Sequence, residues 1–570
     1  MWCENCNRET SEMTCSICGH LTREDIPSSV FWCDNCKVPI LHPHNESKIE
    51  CPLCGETAHY LCADLRPVFP EERLLFELIQ ESPLEFLESS VWASGGKYYV
   101  DGKAINVPSS YFETADTDVL IDGLDTHSDC NSYDYFDKHI DRFVEANTQH
   151  LKVIYEEAAS FVREAAEPFP EENIVVSFSG GKDSTVAADI TVRALSNPYL
   201  VHVFGDTTLE FPSTIEYAKR FRDNHPLAIF KTARNNEQSF YDMAEIIGPP
   251  ARMMRWCCSM FKTGPISRVF NGMYKDQDIL TFYGIRKRES VSRSKYNRME
   301  DDASAIKIQR QKVASPVFFW GDLEIWLYIL GEKIDFNDAY RLGYDRVGCW
   351  CCPNNNSRAH FLSKIYMPEE AKAWRDFLID FATKIGKPDP EVYVDTGKWK
   401  ARQGGNGLAA ADTVKVKSNQ CATEDNAYVF DLEKPYSEEL EGLFTPIGDY
   451  APGLGRKLLN EKVYLDPRTK QPLFAIMPFT STMSPYAVKV RILGSGNEES
   501  LLRMVKYQIV KFNACRQCLK CESLCRFSAI NVSMGEYYIN PDKCTHCRQC
   551  VTDKYLPGGC LMKKYLRTKD

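Results

Sequence analysis

Nine consecutive residues, Ser177-Phe178-Ser179-Gly180-Gly181-Lys182-Asp183-Ser184-Thr185, bring together two glycines, a lysine, an aspartate and several hydroxyl groups. Glycine lets a backbone approach an anion closely, and free N–H groups at a helix start carry partial positive charge. A Gly-Gly turn between an apolar strand and a helix therefore suits phosphate. Lys182 adds a full charge, and Ser179, Ser184 and Thr185 add donors. The Gly-Lys-Ser/Thr ending of the P-loop is absent. Further along, Arg286, Arg288 and Arg293 offer planar guanidinium forks that match phosphate or sulfate. Asp206 follows a second apolar run, at the strand edge where α/β sheets bind ligands. The candidate catalytic residues are Lys182, Asp183, Asp206, Arg286, Arg288 and Arg293. The candidate nucleotide-binding residues are Ser177, Ser179, Gly180, Gly181, Lys182, Asp183, Ser184 and Thr185.

Cysteine supplies the second chemistry, with 24 in 570 residues. The N-terminus shows no basic stretch and no apolar core, and most cysteines stand in Cys-x-x-Cys pairs. Both features favour reduced, metal-holding thiolates over disulfides. Cys3/Cys6 with Cys15/Cys18, and Cys33/Cys36 with Cys51/Cys54, give two knuckle pairs suited to tetrahedral zinc. Units this small cannot bury enough apolar surface to fold alone, and zinc binding, worth roughly 10–16 kcal/mol in finger peptides, makes up the difference. His42, His44 and His59 read as surface residues rather than ligands. At the other end stand Cys515, Cys518, Cys521 and Cys525, then Cys544, Cys547, Cys550 and Cys560. This spacing resembles a two-cluster bacterial ferredoxin, in which the fourth cysteine of each run serves the other 4Fe–4S cluster. That resemblance assigns Cys560 to the first three and Cys525 to the later three. Arg526 stands where proline is usual, and the gap before Cys560 is longer.

The elements that must position these groups are legible in the hydrophobic pattern. Apolar runs at 173–178, 200–204, 227–231 and 279–283 alternate with helical stretches at 184–195 and about 213–223, which predicts an α/β fold with a parallel sheet and helices on both faces. Upstream, helical patterns cover 71–88 and 136–166, and Lys97 to Lys103 reads as a hairpin turning on Asp101-Gly102. The expected organisation is two zinc ribbons at 1–64, a small mixed domain with an acidic linker at 65–135, a helical connector at 136–172 and the nucleotide domain at 173–365. A mixed α/β region of unreadable role at 366–505 and a ferredoxin-like α+β domain at 506–570 follow. The net charge of −11 hides an asymmetry: residues 101–150 carry −8 and residues 252–312 carry +8. A basic stretch beside a nucleotide motif suits phosphate. No apolar run approaches the ~18 residues of a membrane span, and a cytoplasmic location is expected.

The phosphate loop resembles that of the adenine-nucleotide α-hydrolase superfamily, the PP-loop ATP pyrophosphatases. Three further segments resemble the phosphoadenylylsulfate (PAPS) reductase family in particular. They are Gly205-Asp206-Thr207-Thr208-Leu209-Glu210-Phe211-Pro212, Tyr283-Gly284-Ile285-Arg286-Lys287-Arg288-Glu289-Ser290 with Arg293, and Ser315-Pro316-Val317 with Trp320, Asp322, Trp326 and Ile329. Tyr340, Gly343, Tyr344 and Gly348 continue the likeness, which spans roughly 173–365. Cys257-Cys258 with Cys349 and Cys352 resembles the 4Fe–4S signature of adenylylsulfate reductases, Cys351 being the alternative fourth ligand. The family's closing Glu-Cys-Gly-(Ile/Leu)-His segment is missing, and Cys421 lacks that context. Lys182, usually absent from the reductases, points to ATP. The resemblance implies ATP-dependent sulfur transfer forming AMP and pyrophosphate, with sulfonucleotide reduction to sulfite as the alternative and a non-catalytic nucleotide-sensing module as the third reading. A nucleotide substrate, an electron- or sulfur-donor protein and a tRNA or DNA substrate are the implied partners, with no membrane.

Overall fold

In the computed structural model, the described residues are 2–3, 8–9, 15–19, 28–43, 48–274, 277–290, 293–300, 310–481, 484–494, 497–533 and 535–568. Cys6, His44 and the side chain of Cys3 lie outside them.

Four of the six strands of the central sheet form at or near the alternating apolar runs, the third displaced to Ile229–Arg234, and two further strands join them. β1 (Ile174–Phe178) leads through the Gly-Gly turn into α1 (Lys182–Leu195). β2 (Val201–Asp206), α2 (Pro212–Asn224) and β3 (Ile229–Arg234) follow. Pro212 opens α2 because its fixed φ suits a first helical turn and its missing N–H has no partner there anyway. β4 (Ile279–Phe282), β5 (Met299–Glu300), β6 (Gln311–Ala314) and α3 (Asp322–Gly331) complete the unit. The strand order is β3-β2-β1-β4-β6-β5, and every pairing is parallel except β5 with β6. The chain therefore runs outward from β1 through β3 and returns on the other side of β1 at β4. That reversal leaves a crevice beyond the carboxyl ends of β1 and β4, where open α/β sheets take their ligands.

Helices cover both faces, as the pattern predicts. Val176, Phe178 and Phe204 pack with Val186 and Ile190 of α1, Phe221 of α2 and Leu323 of α3. Their strand neighbours Val175, Val201 and Val203 point the other way, onto Ile266, Phe270 and Tyr274 of the helix Gly264–Tyr274. The period of two along each strand thus serves two separate cores. No helix among the described residues is long and apolar enough to cross a membrane.

Two helical expectations are corrected. The pattern over 71–88 yields a helix only over Pro70–Ile79, because Pro83 cannot continue it, and Glu81 and Leu84 take positive φ. The pattern over 136–166 yields two helices, Asp134–Ala146 and Thr148–Ala166. The break is Asn147, whose buried amide accepts from Leu41 N (2.7 Å) and donates to the carbonyls of Pro39 (3.0 Å) and Phe143 (2.8 Å). Those bonds tie the connector to the N-terminal sheet.

That sheet has the order Val38–Pro43, Ser28–Cys33, Thr57–Cys62, Lys48–Glu50. The hairpin Lys97–Val100 and Lys103–Asn106 forms as read, in a second small sheet with Val91–Ser94 and Arg66–Pro67. Towards the C-terminus, the helix Pro368–Lys384 packs on the nucleotide domain, while a six-stranded antiparallel sheet spans 418–492. The interior of that sheet continues into the cysteine-rich tail: Phe430, Phe474 and Val490 share one core with Leu519, Leu524 and Ile539.

Candidate active site and metal centres

The phosphate loop is braced from behind by its own helix and by the segment after α3. Ser184 Oγ accepts from Ser179 N (3.1 Å) and donates to Gly181 O (2.8 Å), folding the loop on itself. Thr185 bonds the Tyr217 hydroxyl (2.9 Å), Asn337 donates to Gly180 O (3.1 Å), and the Tyr340 hydroxyl accepts from Lys182 N (3.0 Å). Ser184 and Thr185 are buried, so their hydroxyls set the loop's shape, whereas Ser179 stands exposed at the mouth. Ser177, half-buried on β1, bonds Tyr283. Gly180 has φ +73° and leaves no room for a β-carbon, which would come within 2.8 Å of Thr214. Gly284, after β4, passes so close that a β-carbon would stand 2.3 Å from Asp183 carbonyl atoms.

Four ionic groups meet at this loop. Lys182 is buried with Nζ 3.2 Å from Asp322 and 3.2 Å from the Asp345 carbonyl oxygen. Arg286 is also buried and pairs with Asp183 (2.9 Å) and Asp322 (2.7 Å). Burial alone would pull the Lys182 pKa down, but Asp183 and Asp322 outweigh it and the ammonium is held above its ordinary range. Burial raises Asp322, and Lys182 and Arg286 more than reverse this, so its carboxylate stays ionised. Asp322 is presented at the first turn of α3 by Asp64, from the N-terminal part of the chain, which accepts from Asp322 N (2.7 Å) and Leu323 N (3.0 Å). Burial and the nearby Asp322 push the Asp64 carboxyl up to about 6. Next to these, Arg293 pairs with Glu289, and Arg346 reaches Glu289 at 3.4 Å. Burial and then the charge of Arg346 pull Arg293 down to about 10. Cations held against mutual repulsion at the mouth of a phosphate loop are suited to an anion.

Sequence reasoning missed Arg346, Asp64 and Asp345. Arg346 lies just past the quoted Tyr344, and a scan for basic residues near the motifs could have found it. Asp64 carries no local signal. Behind them a buried cluster locks the floor: Glu72 pairs with Arg66 (2.5 Å) and Arg358, and Arg66 with Asp345 (2.6 Å). Burial raises the Glu72 carboxyl, but Arg66 and Arg358 bring it down to about 2. The structure does not bring Arg288 to the loop: it is exposed and donates to Ser28 O at 3.4 Å. Asp206 caps the turn after β2, accepting from Thr208 N (2.8 Å) and facing Arg234 (3.4 Å).

That same turn touches the thiols. Thr207 Oγ1 lies 3.4 Å from Cys349 Sγ, Glu210 bridges to Cys349 through the backbone, and Trp350 N donates to Leu209 O (3.0 Å). Cys257, Cys258, Cys349 and Cys351 are close enough to shift one another's pKa. A hydrogen bond from Cys257 pulls Cys258 down to about 5, against burial and with help from Arg255, whose Nη2 stands 3.5 Å away. Lys262 faces Cys258, Cys349 and Glu210. Lys400 lies near Cys352, and burial and the charge of Arg252 pull it down to about 8. Several cations around thiolates fit a group whose sulfur ligands carry excess negative charge, such as a 4Fe–4S cluster. Lys400 gives the helical stretch after 366 a place in this site.

In the tail, Cys515 and Cys518 are raised by burial and then by Cys560, with Cys521 adding to both. Cys544 interacts with Cys525 and Cys547, and Cys550 with Cys544 and Cys525. Cys550 is also raised by Cys521 of the first run, ahead of Cys544 and Cys525, so the two runs lie against each other. Cys525, Cys544, Cys547 and Cys550 line a small recess together with apolar Leu524, Phe527 and Ile530. A thiol-lined apolar recess fits an iron–sulfur cluster.

The two N-terminal knuckle pairs differ. Ligand atoms of Cys33, Cys36, Cys51 and Cys54 lie within 4.8 Å of one another. Cys33 and Cys54 sulfurs are 3.6 Å apart, and those of Cys36 and Cys51 3.9 Å. Sulfurs at about 2.3 Å from a tetrahedral zinc stand about 3.8 Å apart, so this set fits zinc. For the first pair, only Cys15 and Cys18 have described side chains. They share one turn, closed by Gly19 N donating to Cys15 O (2.8 Å), with Cys15 buried and Cys18 half-buried. Their expected partners, the thiols of Cys3 and Cys6, lie outside the described residues. Cys421 stands beside Thr423 and Lys489.

The phosphoadenosine phosphosulfate reductase domain family matches residues 173–355. An uncharacterised protein of Methanocaldococcus jannaschii is 31% identical over 271 residues, covering 48% of this chain and 55% of that one. The chain thus spans little more than half of that relative's length. An adenosine 5'-phosphosulfate reductase of Staphylococcus epidermidis is 26% identical over 196 residues, covering 33% of this chain and 76% of that one. Among solved structures, the phosphoadenylyl-sulfate reductase of Candida auris, in a phosphate complex, is similar over 36% of this chain and 96% of that one, at 17% identity and a TM-score of 0.28. Residues 173–355 are therefore similar to a phosphoadenosine phosphosulfate reductase domain, and the cysteine-rich modules at both ends lie outside that match.

Proposed function

We propose that the chain is an enzyme that binds Mg·ATP at the loop after β1 and uses it for sulfur transfer, releasing AMP and pyrophosphate. The observation that carries this reading is the pair of carboxylates at the loop, Asp183 and Asp322, joined through Arg286. Two carboxylates repel a bare anionic nucleotide. They suit a triphosphate that brings magnesium, which binds through one or two carboxylates plus substrate phosphates. Lys182 and Arg286 would then balance the diphosphate end, and Arg293 with Arg346 the outer phosphates. An acceptor oxygen would attack the α-phosphorus with loss of pyrophosphate, and a sulfur nucleophile would then displace AMP. Iron–sulfur clusters on Cys257, Cys258, Cys349 and Cys352 and on the two tail sets would supply electrons or sulfide. Zinc on the N-terminal knuckles would be structural. The basic stretch 252–312 suits a tRNA or DNA acceptor through phosphate contacts, and the protein is expected in the cytoplasm.

Sulfonucleotide reduction is the second reading. It is favoured by the contact between Thr207 and Cys349, which would bring a thiol beside the proposed nucleotide site, and by the reductase likeness. Anaerobic incubation with Mg·ATP, and separately with adenylylsulfate and phosphoadenylylsulfate, separates them. Pyrophosphate and AMP from ATP support sulfur transfer. Sulfite from a sulfonucleotide, with ATP untouched, overturns it.

A further inference from the structure

The catalytic-domain thiols and the tail thiols face each other across one apolar wall. From Cys257-Cys258 the chain makes a π-helical stretch, Ser259–Thr263, and reaches Gly264. A β-carbon on Gly264 would stand 2.4 Å from Leu519 Cβ, so glycine alone admits Leu519 at this distance. Leu519 directly follows Cys518 and holds a left-handed φ of 60°. Tyr565, from the last helix Leu561–Leu566, is buried in the same apolar cluster as Cys351, Cys518 and Cys560. It stands within electrostatic range of Cys518, Cys257 and Cys258 together. The rim of the contact is fastened by polar bonds: Arg268 pairs with Glu522 (2.7 Å) and donates to Val532 O (2.8 Å), and Gln238 donates to Arg516 O (3.4 Å). On the far side of the tail, Cys547 is exposed at the edge of the recess formed with Cys525, Cys544 and Cys550. Cys550 in turn neighbours Cys521 of the middle set.

We propose that Gly264, Leu519 and Tyr565 form an internal redox junction that sets the three thiol groups in line, with the exposed Cys547 set outermost, the Cys515 set in the middle and the Cys257 set at the nucleotide. This rests on the reading that these sets hold iron–sulfur clusters. One electron enters at the outer set from a one-electron carrier protein. Each transfer oxidises the group on one set by one electron and reduces the group on the next by one, with no bond made or broken. The short contact at Gly264 fixes the last gap, because the backbone turn after Cys258 packs directly on the residue after Cys518.

The test uses the full chain, prepared anaerobically, with dithionite as the electron source and electron paramagnetic resonance as the readout. In the unaltered protein the signal of the Cys257 set should be broadened by spin coupling to the middle set. Gly264→Val should keep the iron content and lose the broadening. Cys518→Ser should remove the middle cluster and leave the Cys257-set signal narrow. Independent, unbroadened signals in the unaltered protein overturn the junction, as does broadening that survives Cys518→Ser. Protein without iron at either set overturns the cluster reading itself, and the junction with it.

Discussion

Replacing Gly284 by alanine would put a methyl carbon 2.3 Å from the carbonyl carbon and oxygen of Asp183 and 2.5 Å from Ser184 N. These are backbone atoms of the phosphate loop, so no rotamer change relieves the overlap. Nor can the two segments simply part, because one follows β1 and the other β4, and these strands are hydrogen-bonded neighbours. Restoring ordinary contact, which begins at 3.4 Å, moves the loop by roughly 1 Å. A donor displaced that far from a phosphate oxygen leaves hydrogen-bonding range. Charge-assisted bonds contribute about 1.5–3 kcal/mol each. Losing two costs about 3–6 kcal/mol, or about 10²- to 10⁴-fold in affinity. Overpacking itself costs about 1–3 kcal/mol of stability, which leaves a protein of ordinary stability folded. Isothermal titration with Mg·ATP and with adenylylsulfate, beside a thermal melt, measures both effects. A folded Gly284→Ala protein that binds both nucleotides with unaltered affinity would refute the placement of the ligand at this loop.

Lys182→Ala should weaken Mg·ATP binding about 10- to 150-fold, the cost of one charge-assisted contact, and barely alter adenylylsulfate binding; equal loss for both would put the reductase reading first. Cys51→Ser should release one zinc equivalent to a chromophoric chelator and lower the melting temperature, and unchanged zinc content would remove the assignment to Cys33, Cys36, Cys51 and Cys54. Cys257→Ser should strip iron from the nucleotide domain alone, and Cys518→Ser from the tail alone; loss of the same iron in both would merge the two assignments. Burial lowers His202 from 6.5 to about 4, so the folded protein resists a proton that the unfolded chain takes up near 6.5. Its contribution to stability is therefore complete above pH 6.5 and is lost as the pH falls through 4, by up to about 3 kcal/mol. His202→Phe should flatten that part of the stability profile measured by urea unfolding, and an unchanged slope would refute the assignment.

β1 to β4 were legible as short apolar runs, with β3 displaced to Ile229–Arg234 from the run at 227–231, whereas β5 and β6 carry no such run; the helix Pro368–Lys384 was legible because a proline opens it and its apolar face is periodic. Boundaries moved where a single residue serves a distant segment. The pattern over 136–166 could not reveal that Asn147 would leave the helix to bond Leu41 and Pro39. Glu71 to Glu88 was misread because charged and apolar residues keep a helical period past Pro83, although proline removes the backbone donor that the helix needs.

By itself the sequence determined the chemistry of the parts. It points to a candidate phosphate loop through glycine, lysine and hydroxyl spacing, and to candidate metal sites through cysteine spacing, because both depend on residues a few positions apart. Only the tertiary structure decided how charges pair and which parts meet. Asp64 reaches Asp322 across 258 positions, and Lys182 meets Asp345 across 163. Arg288, so close to Arg286 in sequence, turns away from the loop instead. Cys349 reaches Thr207, and Leu519 reaches Gly264, through contacts that no local pattern encodes. Side-chain type and spacing travel with the chain, whereas the burial and neighbouring charge that set a group's protonation and partners exist only once distant segments have packed together.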